Sequence, residues 1–266
     1  MPFQLIAVDL DGTLLGGTTE GYGFLPEGID ALRQAVLKQT KIAIVTGRSI
    51  GFIIELLNRE QICYQTERWP HFIIADDCLI YHLRDGNYEP HSEWNEMIQR
   101  AERLHFDRIR AEIDLFIANN LSFIHSDIFR ANHKIEQARG YVEIKFPDAS
   151  VARRGERILT EWLASNKLPY AAIRVRKYVF IRHLTVSKGN SLNTLCRKNR
   201  IPSSKVLAIG DSGNDLSMLD GRFGFVGASP GNAETEIKQA INNQGGYVAK
   251  NHYGRGVAEV ISTLFP

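Results

Sequence analysis

The sequence lacks the long apolar run that a membrane-spanning helix requires. No stretch approaches about 18 consecutive apolar residues, and the first residues show no basic segment followed by an apolar one, as in a secretory signal peptide. Cysteines are scarce and far apart, at Cys63, Cys78 and Cys196, with no C-x-x-C pair. They indicate neither a disulfide framework nor a zinc knuckle. We therefore expect a cytoplasmic protein without a membrane partner.

The sequence also lacks a strong excess of either charge. It carries 32 Lys and Arg against 30 Asp and Glu, which gives a net charge of +2 and a pI near 8.4. This balance is too weak to indicate nucleic acid as a partner. Positive charge is concentrated in residues 145–183, which hold nine Lys and Arg against three Asp and Glu. The hydrophobic content of 44% excludes a wholly disordered chain.

Apolar runs alternate with helical patterns in the first and last parts of the chain. Strands are predicted at 5–8, 41–45, 72–75 and 205–209, and helices begin near 26, 50, 189 and 215. The glycine-rich segment 16–23 is predicted to be a loop. Strands that alternate with helices are typical of a parallel sheet.

The middle of the chain has a different rhythm. Helical patterns and strand-like runs follow one another in groups there, which indicates an α+β module with an antiparallel sheet. Helices are predicted at 92–105, 107–119 and 151–165, and strands at 122–125, 141–146, 172–175 and 178–184. The predicted fold class is α/β, a Rossmann-like parallel-sheet core domain (1–83 and 185–266) with an inserted α+β cap domain of αββαββ-like order (84–184).

Two carboxylates follow the first predicted strand directly. In Asp9-Leu10-Asp11-Gly12-Thr13 the two acids are close enough to share one divalent cation, and Gly12 permits a sharp turn. One carboxylate can attack phosphorus, while its neighbour exchanges a proton with the leaving oxygen and then with water. The alternative is an Asx turn that merely closes the strand.

Two further motifs stand where a helix begins. Thr46-Gly47-Arg48 follows the second strand, where a hydroxyl and the amides of a helix N-terminus can hold phosphate oxygens, although Thr46 could simply cap the helix. Lys188 stands at the start of another helix, where a cation opposes the helix dipole at a cost of about 0.3 kcal/mol or more. An anionic neighbour would explain this lysine, and a solvated surface position is the alternative.

The fourth motif, Gly210-Asp211-Ser212-Gly213-Asn214-Asp215, follows another apolar strand. Two acids and an amide in a glycine-containing loop could complete an oxygen-rich Mg²⁺ site. As alternatives, Asp215 compensates a helix dipole and Asn214 is a turn residue. All four motifs are placed at the carboxyl ends of predicted strands, where open α/β sheets bind their ligands.

These four motifs, in this order, resemble those of the haloacid dehalogenase-like hydrolases. The resemblance covers the core on both sides of the insertion, and an insertion between the second and third motifs is similar to the type IIB cap of the Cof subfamily. Within that subfamily, residues 80–82, 187–190 and 210–215 are similar to those of the sucrose-phosphate phosphatases and their sugar-phosphate relatives.

The resemblance implies a Mg²⁺-dependent phosphatase and a role for each motif residue. Asp9 would be the nucleophile and a Mg²⁺ ligand, Asp11 the acid/base with its backbone carbonyl on the metal, and Asp211 a direct ligand. Thr46 would bind a phosphate oxygen, and Lys188 would neutralise the nucleophile and the phosphate. The residues expected to contact phosphate or to order the outer shell are Gly12, Thr13, Gly47, Arg48, Asn214 and Asp215.

One segment departs from the family pattern. Relatives usually have a Gly after the third strand, whereas this chain has Asp76-Asp77-Cys78. Because Asp tolerates the left-handed backbone conformation better than most residues, we expect the turn to survive. Two carboxylates at this point would repel an anionic substrate or bind the hydroxyls of a sugar.

The cap is expected to select the substrate, because the core motifs are generic for phosphoryl transfer. Alternation in Ile173-Arg174-Val175-Arg176 predicts that both arginines lie on one face of a strand, where they would contact substrate hydroxyls or a second anionic group. The alternative is an ordinary solvated sheet face.

The function predicted by these observations is hydrolysis of a small phosphomonoester, a sugar phosphate or a sugar-derived phosphate, so the expected partner is a small-molecule phosphate ester. A hexose-phosphate mutase on the same core is an alternative, and it would have to retain its phospho-intermediate. A catalytically idle ligand-sensing protein is another, and the intact Asp9 and Asp11 argue against it.

Overall fold

The computed structural model describes residues 3–18, 21–104, 106–119 and 141–265. The chain divides into two compact units, of which the first comprises Met1–Trp94 and Ser187–Pro266 and the second comprises Asn95–Val186. Each unit has its own hydrophobic core.

The boundary between the units differs from the one predicted after residue 83. The sheet of the first unit continues through a strand that ends at Pro90. The Trp94 indole then donates a hydrogen bond to the Cys78 carbonyl at 2.8 Å. The chain therefore leaves the first unit about one helical turn after the strand that ends at Pro90, whereas the predicted boundary lies before that strand.

The helices and strands of the described residues are numbered in chain order. The helices are α1 (Pro26–Leu37), α2 (Ile50–Arg59), α3 (Tyr64–Glu67), α4 (Ser92–Leu104), α5 (Phe106–Asn119), α6 (Ala149–Ser165), α7 (Lys188–Lys198), α8 (Leu216–Leu219), α9 (Thr235–Asn243) and α10 (Tyr253–Leu264). The strands are β1 (Leu5–Val8), β2 (Leu15–Thr18), β3 (Gly21–Phe24), β4 (Lys41–Val45), β5 (Phe72–Ala75), β6 (Leu79–Arg84), β7 (Asn87–Pro90), β8 (Val142–Lys145), β9 (Tyr170–Val175), β10 (Tyr178–His183), β11 (Val206–Ile209), β12 (Val226–Ser229) and β13 (Tyr247–Val248).

The first unit is built on a central sheet with the strand order β13-β12-β11-β1-β4-β5-β6-β7. From β13 to β5 the neighbouring strands are parallel. At one edge, β6 and β7 add an antiparallel hairpin. The carboxyl ends of the parallel strands therefore lie along one edge of the sheet.

Helices cover both faces of this sheet, as β1 shows. All four of its residues are fully buried, and successive side chains of a strand point to opposite faces. Ile6 and Val8 pack in the cluster that includes α1, α2 and α10, and Leu5 and Ala7 pack in the cluster that includes α7, α8 and α9. A continuously apolar strand is what a parallel sheet between two helical layers requires.

The prediction of a loop at 16–23 is wrong. β2 and β3 form an antiparallel hairpin in which Leu15 pairs with Phe24. Both side chains are buried in the core beneath the hairpin. Tertiary packing at the base of the hairpin therefore holds a strand pair whose glycines have little strand propensity of their own.

The second unit contains a three-stranded antiparallel sheet in the order β8-β10-β9. Phe146, Leu159 and Ile181 belong to its core, which also includes residues of α5. Asp148 caps α6 by accepting hydrogen bonds from the backbone of Ser150 and Val151. The strand predicted at 122–125 lies outside the described residues. A mostly parallel sheet in one unit and an antiparallel sheet in the other confirm the predicted fold class.

None of the helices in the described ranges combines the length and the apolarity needed to cross a bilayer.

Candidate active site

Four loops at one edge of the central sheet carry the polar residues of the candidate site. They follow β1, β4, β5 and β11, which are neighbours in the sheet. Asp9 extends β1, Thr46 extends β4, Asp76 extends β5 and Gly210 extends β11. Because these four strands are parallel, their carboxyl ends bring the loops to the same place. Lys188, the first residue of α7, completes the group.

Lys188 is fully buried, and its ammonium joins two of the loops. Nζ donates hydrogen bonds to Asp9 Oδ1 and to Asp215 Oδ1, each at 2.6 Å. Burial by itself lowers the pKa of Lys188, but the carboxylates of Asp215 and Asp9 raise that pKa above its ordinary value. The residue is therefore a buried cation, not a solvated surface lysine.

The start of α7 is shaped to place this lysine. Ser187 caps the helix by accepting a hydrogen bond from the Asn190 backbone at 3.1 Å. A Cβ at Gly189 would lie 2.1 Å from the Ser217 carbonyl oxygen, so only glycine permits this approach to α8. The close approach brings the first turn of α7, and with it Lys188, beside the Gly210 loop.

Asp9 and Asp211 are both buried beside the lysine. Burial and the charge of Asp215 raise the pKa of Asp9 above its ordinary value, against the lowering effect of Lys188. Asp211 Oδ1 accepts a hydrogen bond from Thr13 Oγ1 at 3.0 Å. Thr13 therefore ties the loop after β1 to the loop after β11.

Asp215 orders the loop in which it stands. While Oδ1 binds Lys188, Oδ2 accepts hydrogen bonds from the backbone N–H groups of Asp211 at 2.9 Å and Ser212 at 3.0 Å. Asn214 Oδ1 accepts a hydrogen bond from Ser212 Oγ at 2.9 Å. The carboxylate of Asp215 thus satisfies backbone donors and a buried cation at the same time.

The carboxylates of this site fit a hard divalent cation. Ligand oxygens of Asp9, Asp211 and Asp215 lie within 4.8 Å of one another, and all three residues are buried. Oxygen donors are what Mg²⁺ prefers in proteins. Since Asp215 already uses both oxygens for Lys188 and the backbone, Asp9 and Asp211 are the carboxylates best placed to hold a cation.

The Asp11 carboxylate is held by Arg48. Nε and Nη2 of Arg48 donate to Asp11 Oδ2 and Oδ1, both at 2.9 Å, and the Tyr22 hydroxyl donates to Oδ1 at 3.4 Å. Burial raises the pKa of Asp11, but the hydrogen-bonded guanidinium of Arg48 outweighs it and holds that pKa below its usual range. Tyr22 was missed by sequence reasoning, because its approach depends on the β2–β3 hairpin.

Thr46 is buried at the turn after β4. Its Oγ1 accepts a hydrogen bond from the Arg48 backbone at 3.2 Å. The cap of α2 is Ser49, whose Oγ accepts from the Phe52 backbone at 3.4 Å. Thr46 is therefore not the N-cap of that helix, and its hydroxyl belongs to the turn at the sheet edge.

The two consecutive acids after β5 form the expected turn. Asp76 and Asp77 have φ values of 51° and 62°, and the Cys78 backbone donates to the Ala75 carbonyl at 2.9 Å. Asp77 Oδ1 accepts a hydrogen bond from Asn214 Nδ2 at 3.0 Å and lies 4.0 Å from Lys188 Nζ. The Asp77 carboxylate therefore belongs to the site.

Asn232 is a further polar contact of the site that sequence reasoning missed. Its Nδ2 donates to the Gly12 carbonyl at 2.7 Å, and its Oδ1 accepts from the Tyr253 backbone at 2.7 Å. Gly12 itself has a φ of 92°, which a glycine adopts without strain. Asn232 follows β12 as the other motifs follow their strands, and this placement was the signal available in the sequence.

The two arginines singled out in the second unit have different environments. The prediction that Arg174 and Arg176 share a strand face is wrong, because β9 ends at Val175 and Arg176 lies in the following turn with a φ of 54°. Arg174 is buried and forms an ion pair with Glu156, whose Oε2 lies 3.3 Å from its Nε. Arg176 is exposed.

Comparison with known proteins identifies the family. A model of the haloacid dehalogenase-like hydrolases matches residues 6–127 and 77–261, which together span most of the chain. The chain belongs to this family. The match confirms the resemblance stated from the motifs, and it confirms that the chain is an enzyme of the hydrolase class.

Relatives match this haloacid dehalogenase-like hydrolase over nearly its whole length. A Bacillus subtilis protein named "Putative phosphatase YxeH" is 25% identical over 98% of each chain. The 5-amino-6-(5-phospho-D-ribitylamino)uracil phosphatase YcsE of Bacillus subtilis is 25% identical over 97% of this chain and 94% of its own. The sucrose-phosphatase of Synechocystis, solved with sucrose and phosphate, has a TM-score of 0.73 at 20% identity, covers 99% of this chain and 98% of its own, and shows the same fold.

Proposed function

We propose that this hydrolase is a Mg²⁺-dependent phosphatase of the cytoplasm that cleaves a small phosphomonoester through an aspartyl-phosphate on Asp9. The observation that carries the proposal is the buried ammonium of Lys188 between Asp9 and Asp215. A cation in that position can neutralise both a carboxylate nucleophile and an incoming phosphate. The phosphatase names of the relatives support the reaction class.

We assign the substrate to the sugar phosphates or sugar-derived phosphates. A relative that spans nearly the whole chain is named for a phosphorylated ribityl compound, and a solved structure with the same fold contains sucrose and phosphate. A Pyrobaculum aerophilum relative, 25% identical over 90% of this chain, is named a phosphoglycolate phosphatase, and phosphoglycolate is therefore the ester against which the assignment is tested. The leaving group in this assignment is a polyol, which carries many hydroxyls and no charge.

The reaction proceeds in two steps that the residues of the site can perform. A carboxylate oxygen of Asp9 attacks phosphorus, and the bond from phosphorus to the ester oxygen breaks. Asp11, which must leave its ion pair with Arg48 and carry a proton for this step, gives that proton to the ester oxygen. Water then attacks the phosphorus of the aspartyl-phosphate, and Asp11 takes a proton from that water. The products are the free alcohol and inorganic phosphate, and Asp9 returns to its carboxylate form.

The remaining motif residues hold the phosphate and its counter-charge. The Thr46 hydroxyl and the backbone amides near Gly47 and Gly12 are assigned to the phosphate oxygens, and Lys188 is assigned to their charge. Mg²⁺, held by Asp9, Asp211 and the Asp11 carbonyl, would supply Lewis-acid neutralisation of the phosphate when bound. Positioning and electrostatics then provide most of the rate enhancement.

A panel of phosphate esters, assayed for phosphate release with Mg²⁺ and with a chelator, tests this function. We expect turnover of at least one sugar phosphate, a loss of about 10²-fold or more with chelator, and recovery when Mg²⁺ is restored. Release that does not respond to the chelator would contradict the metal assignment. Formation of a sugar isomer that requires a sugar bisphosphate, without net phosphate release, would indicate a mutase instead.

Selection of the leaving group is assigned to the inserted unit, and Arg176 is its first candidate because it is exposed while Arg174 is engaged with Glu156. We expect Arg176→Ala to raise KM for the true substrate and to leave hydrolysis of p-nitrophenyl phosphate nearly unchanged. Arg174→Ala is expected mainly to lower the melting temperature. Equal effects of Arg176→Ala on both substrates would remove Arg176 from the substrate site.

A further inference from the structure

The Asp77 carboxylate lies among the groups that the proposed function assigns to phosphate, yet that mechanism gives it no role. Oδ1 is 4.0 Å from Lys188 Nζ and 3.0 Å from Asn214 Nδ2. Both carboxylate oxygens lie 3.4 Å from the position that a Cβ on Gly47 would occupy. The Asp77 side chain is 20% exposed, whereas that of Lys188 is fully buried.

The turn that carries Asp77 is tightly held. The Asp77 backbone donates to the Thr46 carbonyl, and the Cys78 backbone donates to the Ala75 carbonyl, each at 2.9 Å. The Cys78 carbonyl accepts a hydrogen bond from the Trp94 indole at 2.8 Å. The backbone is therefore held on both sides, and movement of the Asp77 carboxylate is limited to rotation of its own side chain.

The charge of Asp77 therefore acts on any ester bound at the lysine. A phosphate oxygen hydrogen-bonded to the Lys188 ammonium at about 2.8 Å lies within about 7 Å of Asp77 Oδ1. This distance is shorter than the screening length of about 8 Å at physiological ionic strength. The Asp77 charge acts on the phosphate of every ester alike. A leaving group with an anion next to the ester oxygen adds a second negative charge beside that phosphate and is disfavoured further, whereas a hydroxyl or an ammonium in the same place is not.

We propose that Asp77 determines specificity by excluding phosphate esters whose leaving group carries an anion next to the ester oxygen. The proposal rests on the proposed function for the location of the phosphate. It explains how a site that is generic for phosphoryl transfer would accept the uncharged polyol of a sugar phosphate and reject a phosphorylated carboxylic acid.

Three probe esters with the same two-carbon skeleton isolate the effect of charge. Phosphoglycolate ends in a carboxylate, 2-hydroxyethyl phosphate in a hydroxyl and O-phosphoethanolamine in an ammonium. Their dissociation constants are measured by ³¹P NMR titration in the presence of Mg²⁺, in protein that carries Asp9→Asn so that no ester is consumed. The ratio of two dissociation constants cancels effects that act on the phosphate alone.

Three further substitutions, each made in this background, separate charge from structure. Asp77→Asn removes the charge but keeps an oxygen that can accept the hydrogen bond from Asn214, and Asn tolerates the left-handed φ of 62°. Asp77→Gly removes the charge and the hydrogen bond together. Asp76→Asn is the matched control, because it removes one charge from the same turn. The Asp76 carboxylate acts on Tyr81, since burial and the charge of Asp76 raise the pKa of the Tyr81 hydroxyl.

With Asp77 present, we expect phosphoglycolate to bind about tenfold more weakly than 2-hydroxyethyl phosphate, and O-phosphoethanolamine to bind at least as tightly. Asp77→Asn and Asp77→Gly should both bring the first ratio to within about twofold, and Asp76→Asn should leave it nearly unchanged. Equal affinities with Asp77 present, no binding of any ester, or a change in Asp77→Gly alone would overturn the proposal. The last result would mean that Asp77 only holds Asn214.

Phosphate release by the unmodified protein is measured separately on the same three esters. Absence of release from these esters and from the wider panel would contradict the proposed function, while the ratios of dissociation constants would still decide the role of Asp77. Release with no preference between the carboxylate and the hydroxyl ester would leave the phosphatase assignment intact and overturn the specificity assignment.

Discussion

Asp9→Asn is expected to lower the rate of phosphate release by about 10⁴-fold or more while the protein stays folded. The amide keeps the shape of the side chain and an oxygen for the hydrogen bond that Asp9 Oδ1 accepts from Lys188 at 2.6 Å, but it is a poor nucleophile. Burial and the charge of Asp215 raise the pKa of Asp9, so ionisation of Asp9 costs folding free energy as pH rises through that pKa. We therefore expect the variant at pH 7 to melt at the same temperature as the parent or higher.

Initial rates with the preferred ester and thermal melting by circular dichroism check both parts of this expectation. Asp30→Asn is the matched control, because its side chain is 69% exposed on α1 and forms an ion pair with Arg33 rather than with a site residue. Near-parental turnover by purified Asp9→Asn would rule out the covalent route. A large fall in melting temperature would show instead that the Asp9 charge stabilises the fold.

Lys188→Met is expected to destabilise the first unit by about 3–5 kcal/mol and to abolish measurable turnover. Methionine has nearly the length of lysine, but it leaves two carboxylates buried without the cation that now lies 2.6 Å from each of them. Removal of one partner from a buried ionic group leaves an uncompensated charge. The cost of keeping that charge away from water is the reason for the large effect. Urea denaturation gives the free energy of unfolding, and phosphate assays give the rate.

A double variant separates the two consequences of losing this lysine. Lys188→Met combined with Asp9→Asn removes one buried charge of each sign, so we expect it to be more stable than Lys188→Met alone and equally inactive. If Lys188→Met unfolded at the same urea concentration as the parent, the buried ion pairs would be making no net contribution to stability. If it kept its activity, the charge assigned to Lys188 in the reaction would be wrong.

Local patterns were sufficient to predict which polar residues meet at one edge of the sheet. β1 and β4 appear in the sequence as apolar runs, and the residues that follow them lie at the carboxyl edge of the sheet because parallel strands all end there. Local patterns failed for the glycine-rich segment 16–23, which was predicted to be a loop and forms the β2–β3 hairpin. Its conformation depends on Leu15 and Phe24 packing into a core formed by distant residues, and a propensity argument does not include that contact.

The spacing of the motifs in the sequence does not predict which of their side chains form hydrogen bonds with one another. Asp11 and Arg48 are each visible as motif residues, but only the fold shows that two hydrogen bonds of 2.9 Å join them. The end of β9 at Val175, which places Arg176 in a turn, could not be predicted either. The alternation of apolar and polar residues in the sequence continues after the strand has ended. Side-chain partners depend on where elements pack, and a one-residue shift at a strand end changes them.

Short-range periodicity and loop composition mark strand ends, so the parallel-sheet core with its inserted unit and the polar residues at the sheet edge could be predicted without the fold. The family was indicated by the resemblance of the four motifs. Which of these residues touch depends on how the helices and strands pack. Lys188 and Asp9 are separated by 179 positions in the chain, and their 2.6 Å contact exists because Gly189 lets α7 approach α8 beside the end of β11. The place of Asp77 between Lys188, Asn214 and Gly47 has the same origin, since three segments far apart in sequence converge on it only after the sheet has formed.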